Sequence, residues 1–149
     1  MLQVYRLLIN FILIFSPIII VIRLIKRKEH LTRFVEKFTF FSKKRRPGNL
    51  IWFHGASVGE LKSVVPLIEK LEKDNNIKQI LVTTSTLSSA KIFTKLKFVK
   101  TIHQFFPIDN NYMSKRFLNY WKPNLAIFID SEIWPNILTN LKKKSIQHI

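Results

Sequence analysis

From residue 49 onward, short apolar runs alternate four times with segments of helical periodicity, and that alternation leaves the chain very few folds. Residues 50–53, 80–83, 101–105 and 125–129 each read as a buried strand. Val58, Leu61, Val65 and Ile68, with Val64 and Leu71, mark the face of a helix that stops near Lys73, Asp74, Asn75 and Asn76. Further helical faces run through Ile92, Phe93 and Leu96, through Met113, Phe117 and Trp121, and through Ile137, Leu138 and Leu141. Strand–helix alternation with short connections predicts an α/β domain: a Rossmann-like parallel sheet with flanking helices and right-handed crossovers. Pro66 strains this reading, because a proline inside a helix should bend it or push its start later.

Parallel strands in such a domain bring their C-terminal ends to one edge, where α/β folds bind ligands. Four segments meet there: residues 54–59, 84–86, 107–109 and 130–132. They carry His54, several hydroxyls and, with Glu60, up to four carboxylates, a set better suited to sugar hydroxyls than to bare phosphate. No G-x-G-x-x-G or P-loop pattern occurs. Glu60 has two readings. Ser57-x-x-Glu60 fits a capping box, which needs no function. Alternatively, a carboxylate in the positive field of a helix N-terminus is placed to act as a general base, and spacing alone does not separate the two. Asp109 reads as the N-cap of the helix that follows it. His54 reads as packing at a strand end, with no second histidine at metal-ligand spacing. Trp52, Trp121 and Trp134 read as core or cleft wall.

The N-terminal 48 residues are of another kind. Residues 7–22 carry no charge, with Arg6 before them and Arg23, Lys26, Arg27 and Lys28 after. This is just short of the roughly 20 residues that span a bilayer, and snorkelling of Arg23 extends it through Ile25. With no small-residue cleavage pattern, it reads as a retained membrane anchor over residues 1–25. The denser basic flank on its C-terminal side places the remainder in the cytoplasm. A basic segment, 26–48, follows and ends in Lys43, Lys44, Arg45 and Arg46 before Pro47-Gly48. Of the formal charge of +16, +9 falls within residues 1–48, next to the anchor, where each cation attracts anionic lipid by about 1 kcal/mol. That placement, with no nucleic-acid-reading motif, argues against a nucleic-acid-binding protein. The chain has no cysteine, which removes disulfides and thiolate metal sites.

Three stretches taken in order, "HGASVGE", "FFPID" and "LAIFIDSEIWPN", behind an apolar anchor and a basic segment, carry a resemblance. The sequence resembles the Kdo transferases of Gram-negative bacteria, membrane-anchored enzymes that move 3-deoxy-D-manno-octulosonic acid (Kdo) from CMP-Kdo onto the lipid A precursor. The resemblance runs over nearly the whole chain. It implies the N-terminal, acceptor-side half of a glycosyltransferase B fold over residues 49–149.

The resemblance also implies residue roles. Glu60 would be the proton acceptor at the acceptor hydroxyl, and Asp130, where the family usually has glutamate, would assist the transition state. Ser57, Gly59 and Glu132 would bind acceptor, and Lys43, Lys44, Arg45 and Arg46 would meet membrane or phosphate. Where the family often reads R-x-G-E-R-x-G, this chain has Arg33-Phe34-Val35-Glu36-Lys37-Phe38-Thr39; both glycines are gone and Glu36 is given no role. No metal or cofactor is implied, the CMP-Kdo donor being the business of a C-terminal half not contained in these residues. The expected partners are the lipid A precursor, inner-membrane lipids at the cytoplasmic face, and a second half if one is separately encoded. Alone, the chain is expected not to transfer Kdo. The competing expectation is a non-catalytic membrane-surface module that binds anionic glycolipid.

Overall fold

The computed structural model describes residues 1–129 and 133–149, the side chain of Thr94 apart. Its centre is β1 (Asn49–His54), whose side chains alternate between two cores as a strand's period of two demands. Leu50 and Trp52 join Phe117, Leu118, Trp121, Ile137 and Leu141, while Ile51 and Phe53 join Leu61, Ile68, Ile80, Val82 and Phe93. Both faces are therefore covered, as an all-parallel sheet requires.

The remaining elements follow the expected alternation: α2 (Val58–Glu72), β2 (Ile77–Thr84), α3 (Leu87–Lys95), β3 (Thr101–Phe105), α4 (Asn111–Trp121), β4 (Leu125–Phe128) and α5 (Pro135–Lys143), with α1 (Leu2–Ile25) preceding β1. A fifth strand that the apolar pattern does not announce, β5 (Gln147–His148), pairs parallel to β4. The sheet order is β3-β2-β1-β4-β5, parallel throughout. Helices α2 and α3 pack on the face of Ile51 and Phe53, and α4 and α5 on the face of Trp52.

Pro66 lies inside α2 without ending it. Pro66 and Lys62, whose carbonyl loses its partner to the proline ring, both face solvent, so water satisfies that carbonyl and the helix continues.

Residues 26–48 are not a free linker. A 3-10 helix, Arg33–Phe38, runs beside β3. The Glu36 side chain is fully buried and accepts from Arg33 Nε (2.7 Å), Arg33 Nη2 (3.0 Å) and the Phe105 N–H (2.8 Å), while Ser42 also donates to it. Arg33 Nη2 in turn donates to the carbonyl of His103 at 2.9 Å. These groups satisfy the open edge of β3, which would otherwise invite another strand. α1 carries exposed apolar side chains along its outer face, and by length and composition it is long enough to cross a membrane.

Candidate active site

In the order β3-β2-β1-β4-β5 the direction of strand placement reverses between β1 and β4. In open α/β sheets ligands bind in the crevice beyond the strand ends at that reversal. The turn after β1, residues 54–60, and Ile129, which follows β4, flank it. The two are in contact, with the Ile129 N–H donating to the carbonyl of His54 at 2.8 Å. Asp130, Ser131 and Glu132 lie outside the described residues.

Glu60 stands at the third position of α2, and the capping box is fully formed. Ser57 Oγ accepts from the Glu60 N–H at 3.2 Å, while the Glu60 carboxylate accepts from the N–H groups of Ala56 (2.9 Å) and Ser57 (3.2 Å). The capping reading of the spacing is thus met in full. The carboxylate is held at the β1–β4 crevice by the helix N-terminus, and it remains half-buried rather than sealed. Ser57 is placed as the N-cap beside it. Ser89 fixes the turn from the neighbouring loop, donating from Oγ to the Ala56 carbonyl at 2.9 Å.

The two glycines of this turn answer to different demands. A Cβ on Gly55 would sit 3.0 Å from Leu61 Cδ2 and 3.2 Å from Ile129 Cδ1, so a side chain there must push one of these two ends aside. A Cβ on Gly59 would meet only Ser57 Oγ, at 4.0 Å. Nothing in the fold requires glycine at 59; it leaves the helix backbone bare at the crevice.

Aromatic rings form one wall. His54 stacks on Phe106 at 3.8 Å between centroids, and Trp134 lies 5.0 Å from Phe106 and 6.2 Å from His54. Burial pushes the His54 imidazole down to about 3, against a lesser upward pull from its bond to the Thr83 carbonyl. His54 is therefore a neutral packing group, as read from sequence. His103 is also driven down to about 3, first by burial and then by the charges of Arg33 and Lys43. Arg33 Nη2 donates to its Nδ1 at 2.9 Å, which assigns the proton to Nε2 facing Thr84 Oγ1 at 2.9 Å. Among the described residues, no three His, Asp or Glu side chains gather as metal ligands.

Asp109 corrects its sequence reading. The N-cap of α4 is Asn110, whose side chain accepts from the N–H groups of Tyr112 and Met113. Asp109 instead caps α5 across 27 residues: its carboxylate accepts from the N–H groups of Asn136 (2.9 Å) and Ile137 (2.8 Å) and from the Tyr5 hydroxyl (2.9 Å). At 2% exposure it is not a cleft carboxylate. Its burial pushes the carboxyl above the usual range, outweighing the bonds from Asn136, Ile137 and Tyr5 that pull the other way. The buried Asn136 completes the knot by donating from Nδ2 to the Asp109 carbonyl at 2.6 Å and accepting from Arg6 Nε at 2.8 Å. Sequence reasoning missed this set; the only signal was a Pro-Asn pair opening a helix with no acidic residue in its first turn.

Lys43, Lys44, Arg45 and Arg46 lie at the opposite edge, where the strands begin. The Arg45 guanidinium donates to the carbonyls of Trp121 (2.5 Å), Gly48 (2.8 Å), Lys122 (3.4 Å) and Arg46. Arg46 reaches the Val99 carbonyl at 3.4 Å. Arg45 is thus a strut between the entry to β1 and the end of α4, while Lys43 and Lys44 are exposed.

A family profile described as "3-Deoxy-D-manno-octulosonic-acid transferase (kdotransferase)" matches residues 32–149. Among curated proteins, a 3-deoxy-D-manno-octulosonic acid transferase of Rickettsia bellii is 44% identical over 128 residues, 85% of this chain and 30% of that protein. One of Rickettsia felis is 48% identical over 87 residues, 58% of this chain and 19% of that protein. One of Haemophilus influenzae is 28% identical over 126 residues, 84% of this chain and 30% of that protein. The chain therefore spans less than a third of the length of these relatives, and it matches their N-terminal portion.

Proposed function

The chain belongs to the 3-deoxy-D-manno-octulosonic-acid transferase family, and from that premise we propose that it forms the acceptor-binding side of a Kdo transferase acting on the lipid A precursor at the cytoplasmic face of the bacterial inner membrane. The observation that carries this reading is the place of Glu60: a carboxylate at the β1–β4 reversal, held by two N–H groups yet open to the crevice. Glu60 takes the proton from a sugar hydroxyl of the acceptor. That oxygen bonds to the anomeric carbon of Kdo as the bond to the CMP phosphate breaks, and CMP departs with the electron pair. Gly59 lets the acceptor approach the backbone at the start of α2, and Ser57 lines the same turn. Asp130 assists charge development and Glu132 contacts the acceptor from the facing turn. CMP-Kdo is held by the portion of the relatives beyond the matched stretch.

Transfer from CMP-Kdo to lipid A precursor in detergent tests this, with the chain alone and with the C-terminal portion of a related transferase supplied. Activity only in the mixture, falling by about 10³-fold in Glu60→Gln, is the expected result for loss of a general base. Activity of the chain alone would overturn the division of labour. Full activity of Glu60→Gln in the mixture would overturn the assignment of the base.

One observation favours a second reading, that of a non-catalytic membrane-surface module for anionic glycolipid. Both Glu60 oxygens are already occupied by its own turn. Glycolipid binding that survives Glu60→Gln, with no transfer in any mixture, would select it.

A further inference from the structure

A helix that crosses a bilayer must leave the domain at one end, and α1 does not. From Tyr5 to Ile25 it rises about 30 Å at about 1.5 Å per residue, the thickness of the hydrocarbon core. A crossing would therefore place Tyr5 at the far surface. Instead the start of the helix is bound to the domain in four places. The Tyr5 hydroxyl donates to Asp109 at 2.9 Å, Arg6 to Asn136 at 2.8 Å and to Asn111 at 3.2 Å, and Asn110 to Asn10 at 2.6 Å. The far end is bound too. Arg23 and Lys37 both reach Glu29, each at 2.6 Å, and the Lys37 carbonyl accepts the Ile108 N–H at 2.9 Å. Between these ties, Tyr5, Ile9, Leu13, Ser16, Ile20 and Arg23, spaced three or four apart, form a half-buried stripe of the kind that faces a partner surface.

We infer that α1 lies in the plane of the membrane surface, clasped along the strand-end edge of the domain, and that its outer face is covered by lipid. The exposed side chains on that face are apolar, among them Leu8, Phe11, Phe15, Ile18 and Ile22. Lys26, Arg27 and Lys28 follow at its end, complementary to anionic headgroups. In-plane helices ordinarily need a polar face turned to water. Here that face is replaced by the domain, which explains why so uniformly apolar a helix still carries Tyr5, Arg6 and Asn10. The arrangement sets the Asp109 knot, and the crevice edge with it, against the membrane. It stands whether or not Glu60 is a base.

The chain has no cysteine, so single variants Gln3→Cys and Lys28→Cys, both at exposed positions, each supply one thiol. They are probed with a membrane-impermeant maleimide in right-side-out and inverted inner-membrane vesicles. Both thiols reacting from the same side is the expected result. Reaction of the two from opposite sides would show a crossing and overturn the inference, as would recovery of the chain from the soluble fraction. Should the Gln3 thiol be shielded on both sides, the double variant Asn10→Cys, Tyr112→Cys decides, since these residues line one cleft. A short bis-maleimide links them if α1 is docked and fails to link them if it spans.

Discussion

Glu60 and Asp109 follow two strands of one sheet and perform the same service, accepting the first free N–H groups of a helix or its turn, but they are built to opposite specifications. Glu60 serves its own turn from four residues away or fewer, and it keeps a face to the crevice. Asp109 serves a helix 27 residues distant and is sealed among Tyr5, Asn136 and Ile137. A local cap is cheap to open, because its donors can turn to water. A buried long-range cap is not, because each donor left behind is orphaned in the core. The reactive carboxylate of a site is thus expected where the capping contact is local and half-exposed, and the carboxylate that holds the site's frame where the contact is distant and buried.

The hardest test of this contrast is Asp109→Ala. It strands two backbone N–H groups and a hydroxyl, and should cost about 4 kcal/mol, read as a lower urea midpoint. Asp109→Asn retains an acceptor oxygen and should cost about half of that. Tyr5→Phe, which removes only one of the ties to α1, should cost about 1 kcal/mol. A loss at Asp109→Ala no larger than that of Tyr5→Phe would erase the distinction between the two carboxylates.

The same sheet carries two histidines that burial keeps neutral, and acid should find them. His54 and His103 sit at about 3 in the fold against 6.5 unfolded. A depressed folded value means their contribution is fully present above 6.5 and is lost as pH falls from 6.5 toward 3. Between pH 7 and 5.5 each should cost about 1 kcal/mol, together about 2 kcal/mol. Asp109 has the opposite sign: its folded value is raised, so its contribution grows as pH falls through that raised value toward the unfolded 3.8. Imidazole titration by NMR checks the larger effect, the rings of His54 and His103 staying neutral at pH 5. Titration of both near 6.5 would break it.

These groups also mark how far the sequence could be read. The four main strands and their helices were legible because Trp52, Phe53, Leu81 and Val82 alternate between two buried faces, and the pattern records burial. β5 was not, since Gln147 and His148 are exposed and pair through backbone alone. Ser57 and Glu60 were legible because capping boxes close within one turn. The Asp109 cap was not, because its partner is chosen by tertiary packing, and neither was Glu36, whose value lies in meeting the edge of β3. Residues 26–48 read as a basic segment beside the membrane from their charge, whereas Arg33, Lys37 and Arg45 spend that charge on buried carboxylates and carbonyls.

Smaller effects belong to the local cap itself. Ser57→Ala should cost about 1 kcal/mol, the usual value for losing an N-cap oxygen. Glu60→Gln should cost less, since an amide oxygen still accepts one of the two N–H bonds. In the transfer assay the order should invert, with Glu60→Gln the more damaging by far. Equal losses of stability and activity in both variants would reduce Glu60 to a cap.

The smallest expected change in stability is the most telling. Gly59 is the second residue of α2, and a Cβ there meets nothing closer than Ser57 Oγ at 4.0 Å. Alanine is the better helix residue, so Gly59→Ala should stabilise the domain by up to about 1 kcal/mol. Gly55→Ala, four residues earlier, must move Leu61 or Ile129 and should stabilise less than Gly59→Ala. A glycine kept where alanine would fold better points to something outside the fold, here the close approach of an acceptor to the bare helix start. Gly59→Ala should accordingly melt higher while transferring Kdo more slowly, with the loss chiefly in KM for the acceptor. If it melts higher and transfers at the full rate, the acceptor does not pass over this backbone, and its contacts must come from the turn after β4.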